Sequence, residues 1–126
     1  MERGERAVAI KGPDTNCCQA VLLAFAEEIG LDESTLCALG SAFGGGMGGH
    51  QGTCGALCGA QMVFGLKTFR GERNTPTAKR LMEEFERRVG ATKCEDIRGD
   101  LTGKPTCSCA DAVRYAAQIA EEYILD

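Results

Sequence analysis

The chain has 126 residues, 44% hydrophobic and 25% charged, with eight cysteines and a formal net charge of −4. That is enough chain for one domain (residues 1–126) with its own core, and the composition excludes global disorder. The acidic balance argues against nucleic acid or anionic membrane as partner, because phosphate binding needs clustered Lys and Arg.

From the amino end, Met1-Glu2-Arg3-Gly4-Glu5-Arg6 is followed by no apolar stretch of the kind a secretory signal carries, and Ala7-Val8-Ala9-Ile10 is too short to count as a strand. Asp14 or Thr15 opens a first helix reaching Ile29, with Gly30 placed to end it in the left-handed region. Its buried stripe is Cys18, Val21, Leu22, Phe25 and Ile29, and Cys17, Ala20, Val21 and Ala24 form the adjoining one. Asp32 caps a second helix, Glu33 to about Phe43, which a glycine loop ends. The third helix runs from about Cys54 to Phe69; it is strongly apolar and reads as the central helix. Asn74-Thr75-Pro76 starts a fourth, with an apolar face of Ala78, Leu81, Met82, Phe85 and Val89, closed by Gly90. A loop from Ala91 to Thr106 carries Cys94 and one turn at Glu95–Arg98. The last helix starts near Ser108 and buries Cys109, Val113, Ala116, Ala117, Ala120 and Ile124. The pattern predicts an all-α bundle of four to five helices with the glycine-rich loop before the central one.

No apolar run approaches the ~18 residues of a membrane span, so the expected compartment is the cytoplasm, where thiols stay reduced. Eight cysteines then point to inert core packing, metal ligation or redox chemistry. The densest signal is Phe43-Gly44-Gly45-Gly46-Met47-Gly48-Gly49-His50-Gln51-Gly52-Thr53-Cys54-Gly55-Ala56-Leu57-Cys58-Gly59. With Thr53 as cap, Cys54 falls in the first turn of the third helix, where free amides and the dipole stabilise a thiolate. Cys58 lies one turn on along the same face, and Gly46, Gly48 and Gly52 are the glycines expected to bring backbone amides against a thiolate, cluster or anion. The formal Gly44-x-Gly46-x-x-Gly49 match to a dinucleotide fingerprint lacks the strand that motif needs. Cys37, among Leu36, Ala38 and Leu39, reads as core; His50, the single histidine, reads as a solvent-facing loop residue. Neither a Cys-x2-Cys zinc pair nor a thioredoxin-type Cys-x2-Cys is present. The basic residues Lys79, Arg80, Arg87 and Arg88 interleave with Glu83, Glu84 and Glu86, the pattern of a solvated helix face.

Asn16-Cys17 with Gln19-Ala20-Val21-Leu22, the glycine loop running into Cys54-Gly55-Ala56-Leu57-Cys58-Gly59, Cys94, and Cys109 with its alanine-rich helix resemble the C_GCAxxG_C_C family of redox-active proteins over about Asn16 to Tyr123. The resemblance implies functional cysteines at Cys17, Cys54, Cys94 and Cys109, with Cys107 the rival for the fourth position. It implies a thiol–disulfide protein in which Cys54 attacks and Cys17, Cys94 or Cys109 resolves the mixed disulfide, working with a redox partner protein or a small thiol. The alternative is a binding or electron-transfer module whose Cys17, Cys54, Cys94 and Cys109 hold an iron–sulfur cluster or Zn. A third reading leaves the cysteines as inert core of a helical interaction domain. The apolar central helix leaves a homodimer open.

Overall fold

The computed structural model describes residues 2–124, so Met1, Leu125 and Asp126, the ends of the expected domain, lie outside the described residues. Among the described residues there are nine helices: α1 (Arg3–Ile10), α2 (Cys17–Ala24), α3 (Ala26–Ile29), α4 (Glu33–Gly40), α5 (Gly44–Met47), α6 (Gly55–Thr68), α7 (Thr75–Val89), α8 (Cys94–Arg98) and α9 (Cys109–Ile124). The all-α class stands, and the helix number is higher than the four to five expected. No strand forms among these residues; the only pairings of that kind are isolated bridges, Gly12 with Thr15 and Thr53 with Lys93.

Four elements raise the number: α1, the separate α3, and the short helices α5 in the glycine loop and α8 at the turn expected near Glu95–Arg98. The segment around Ala7–Ile10 is helical, because α1 docks on α9 and on α2. The fit of α1 against α9 needs a glycine: a Cβ on Gly4 would stand 2.9 Å from the Gln118 side chain. Arg114 Nε donates to Glu5 at 2.8 Å across the same seam. The separate α3 follows from a break at Phe25, where φ −110° and ψ 15° divide α2 from α3. The Phe25 amide bonds back to Leu22 rather than continuing the α ladder. Phe25 is fully buried under the Arg3 guanidinium, which lies 5.7 Å from the ring centre. Neither glycine nor proline marks the break.

The core forms around α6, which packs against α2, α9 and α7. Its buried Leu57, Ala60, Val63 and Phe64 meet Val21 and Leu22 of α2, Leu81 and Phe85 of α7, and Val113, Ala116 and Ala117 of α9 in one apolar cluster. Burying a Leu, Phe or Val side chain is worth ~1.5–3 kcal/mol relative to exposure, so this cluster holds the helix starts in place. The α2–α6 approach is close enough that a Cβ on Gly59 would be 3.0 Å from both the Cys18 carbonyl oxygen and Val21 Cβ. On α7 the expected face is met, with Leu81, Phe85 and Val89 buried and Ala78 and Met82 half-buried against the cluster.

Candidate functional site

All eight cysteines carry free thiols. Four of them, Cys17, Cys54, Cys94 and Cys109, line a single cavity of about 410 Å³. Each stands at the start of a helix. Cys17 is the first residue of α2, Cys94 the first of α8 and Cys109 the first of α9, and Cys54 is the cap of α6. The family positions thus share a local geometry as well as a cavity.

Local sequence explains each placement. Asn16 caps α2 through a reciprocal box: its side chain accepts from the Gln19 amide at 2.8 Å, and the Gln19 side chain accepts from the Asn16 amide at 2.9 Å. The cap is therefore Asn16, two residues after the Asp14 and one after the Thr15 expected. The Asn16 amide group also donates to the Gly40 and Ser41 carbonyls at 3.2 and 3.3 Å, tying the start of α2 to the end of α4. Cys109 follows Ser108, whose hydroxyl accepts from the Asp111 amide at 3.0 Å. Cys54 and Cys94 are brought together by a short pairing of two loops. The Cys54 amide donates to the Thr92 carbonyl at 2.7 Å and the Cys94 amide to the Gly52 carbonyl at 3.0 Å. That pairing, not a Thr53 cap, orients the entry to α6.

The glycine loop serves this packing. Gly46 has φ +66° and presses on α8, where a Cβ would fall 2.4 Å from Cys94 Cβ. Gly46 lines the cavity together with Gly45, whereas Gly48 and Gly52 do not. Gly48 ends α5 in the left-handed region, and Gly52 supplies the carbonyl for Cys94. With no strand preceding the loop among the described residues, the dinucleotide pattern has no βαβ context.

Electrostatics single out Cys109. Its pKa is pulled down from 9.0 to about 6, first by the neighbouring Cys17 thiol and then, against the opposing effect of burial, by Lys11 and Arg98. Cys17 moves the opposite way: the neighbouring Cys109 and burial hold its proton on. The two neighbours thus shift in opposite senses, Cys109 toward the thiolate and Cys17 toward the thiol. Cys54 does not behave as its helix start suggests. Burial pushes its pKa up, and the Ala56 and Leu57 amides offset only part of that. Cys94 is also raised, by burial and then by Cys54.

The remaining cysteines lie outside the cavity lining. Cys18 is fully buried in the core, and burial with Cys58 nearby pushes its pKa to about 12. Cys58 is half-buried on α6, raised to about 11 by burial, and its thiol lies 3.9 Å from the Thr53 carbonyl. Cys107 is raised by burial and by Asp111. Cys37 is half-buried on α4 rather than core. His50 is partly exposed; its Nδ1 lies 3.3 Å from Asp100 and it does not line the cavity.

A zinc ion or an iron–sulfur cluster needs several thiolates converging at bonding distance, which for zinc places neighbouring sulfurs about 4 Å apart. Among the described residues no group of three or more His, Cys, Asp or Glu is gathered to hold a metal ion. Four sulfurs around one cavity are therefore not a chelate as they stand.

Sequence reasoning did not find Lys11 and Arg98. Lys11 reaches the cavity only because α1 is a helix that ends there, and Arg98 only because α8 turns back over Cys94.

Fold and site together define a small helical protein with cysteines at converging helix starts. Residues 15–123 match the family described as "putative redox-active protein (C_GCAxxG_C_C)", and the chain belongs to that family. No curated protein sequence and no solved structure matches it. No helix among the described residues is long and apolar enough to cross a membrane.

Proposed function

We propose that the protein carries out thiol–disulfide exchange with Cys109 as the attacking thiolate and Cys17 as the resolving thiol. The observation that carries this reading is that Cys17 and Cys109, the first residues of α2 and α9, line one cavity wall with Lys11 and Arg98, a setting that draws the Cys109 pKa down. The thiolate is the nucleophile in such exchange, and a pKa near ambient pH gives the best compromise between thiolate fraction and nucleophilicity. The assignment moves the nucleophile from Cys54, the expected one, to Cys109. Cys54 and Cys94 form the more buried part of the wall, with only 6% and 9% of their surface exposed.

The test is oxidation of the reduced, anaerobically purified protein with one equivalent of diamide, followed by peptide mapping. The expected product is a Cys17–Cys109 disulfide with loss of two titratable thiols. A different pair, or no loss of thiols, overturns the assignment. Brown protein with stoichiometric iron, or tightly held zinc, would establish the metal reading instead.

A further inference from the structure

The reacting pair stands in a recess, and the charges of that recess differ from those of the molecule. The chain carries a net charge of −4. Around the cavity, however, stand two cations, Lys11 and Arg98, and one carboxylate, Asp14. Lys11 ends α1 at the rim and makes no ion pair among the described residues. Arg98 is half-exposed, with its Nε 3.4 Å from Asp100, so part of its guanidinium still faces the cavity. The turn Gly12–Thr15, closed by the Thr15 amide donating to the Gly12 carbonyl at 3.2 Å, completes the rim next to Lys11. A cavity of about 410 Å³ falls in the range that encloses a small molecule.

Resting on the dithiol reading above, we infer that the oxidising substrate is a small disulfide bearing carboxylates, held by Lys11 and Arg98 with its sulfur–sulfur bond against Cys109. A compact anion fits both the recess and its two cations. In the reaction the Cys109 thiolate attacks one substrate sulfur, a Cys109–substrate disulfide forms, and the other half leaves as a thiolate. That leaving thiolate takes the Cys17 proton. Cys17 then attacks the Cys109 sulfur and expels the second half as a thiolate. One substrate disulfide is reduced to one thiol and one thiolate as the protein dithiol becomes the Cys17–Cys109 disulfide.

The test compares three probes of similar size under stopped-flow conditions: dithiodipropionate with two carboxylates, neutral bis(2-hydroxyethyl) disulfide, and dicationic cystamine. Charge complementarity raises encounter rates by ten- to a thousandfold in focused sites. The expected rate order is anion, then neutral, then cation, with about tenfold or more between the first and last at low salt. The anion-to-neutral ratio should collapse in 0.5 M salt and in Lys11→Met, and invert in Lys11→Glu. That ratio cancels any change in thiolate fraction, which affects all probes alike, and the half-buried Lys11 makes no ion pair among the described residues that its replacement would break. Equal rates for all three probes, with the Cys17–Cys109 disulfide formed each time, overturn the substrate assignment and leave the dithiol reading intact. Failure of every probe to produce that disulfide overturns both.

Discussion

Cys54 and Cys109 stand at the starts of two long helices, α6 and α9, and face one cavity, yet their acidities move in opposite directions. The helix dipole is common to both, so it does not decide the matter. Such a dipole contributes ~0.3–1 kcal/mol at an exposed site, which is less than one pKa unit. Burial of a thiolate without a counter-charge outweighs that at Cys54. Cys109 is less enclosed, neighbours the Cys17 thiol and has two cations beside it. The lesson is that a helix start makes a thiolate only where a neighbouring thiol and a counter-charge join it.

Alkylation kinetics give the largest expected effect. At pH 6 about half of Cys109 is ionised, against ~0.1% of a thiol at the ordinary value; the lower nucleophilicity of a weaker base returns about twentyfold of that. The net expectation is reaction with iodoacetamide on the order of twentyfold faster than an ordinary thiol. Cys109→Ser should remove this fast phase, and Cys54→Ser should leave it within a factor of two or three. Loss of the fast phase in Cys54→Ser alone would reverse the comparison.

The next effect isolates the neighbouring thiol. Cys17→Ala removes the first cause of the Cys109 shift, so the midpoint of its alkylation profile should rise from about 6 by roughly a unit or more. Lys11→Met should move it in the same direction by less. An unmoved midpoint in Cys17→Ala would assign the low pKa to the cations.

Stability against pH extends the contrast to the rest of the cysteines. Cys109 has a folded pKa below its unfolded value, so its contribution is complete above about pH 9 and is lost as pH falls through about 6. Cys18 and Cys58 are raised, to about 12 and 11. Their contribution is complete below the unfolded value and is lost as pH climbs toward the folded ones. The Tm of the reduced protein should therefore peak near about pH 8–9, insofar as thiols set it. Cys109→Ser should flatten the acid side and Cys18→Ala the alkaline side, read by calorimetry.

Much of this was legible in the chain. Gly30, Asp32, Pro76 and Gly90 are local signals, and the helix ends they mark appear at those residues, whereas the helix after Asp32 stops at Gly40 rather than about Phe43 and the one before Gly30 is broken at Phe25. The four family cysteines were legible because motif and spacing mark them. The proposed thiolate was not, because the setting that lowers the Cys109 pKa brings Lys11, Arg98 and Cys17 together from three other segments, and no window of sequence contains that meeting. The α1 helix was missed for a related reason. Ala7-Val8-Ala9-Ile10 has little helical signal of its own, and its helicity comes from docking Gly4 and Ala7 on neighbours, a tertiary gain that overrides weak propensity.

The smallest effect tests whether the spacing of α2 from α6 sets the pair. Of the three glycines of α6, Gly55 is the first residue, and the two interior ones differ. A Cβ at Gly59 meets the Cys18 carbonyl and Val21, whereas one at Gly65 meets nothing within 4 Å. Gly65→Ala should stabilise the protein by up to about 1 kcal/mol through helix propensity alone and leave the Cys109 midpoint unchanged. Gly59→Ala gains the same propensity but must push α2 outward, at a strain of ~1–3 kcal/mol. Because α2 carries Cys17, that displacement should draw Cys17 away from Cys109 and raise the Cys109 midpoint along with lowering Tm. A Gly59→Ala protein with reduced Tm but an unaltered midpoint would show that Cys17 follows Cys109 independently of the α2–α6 seam.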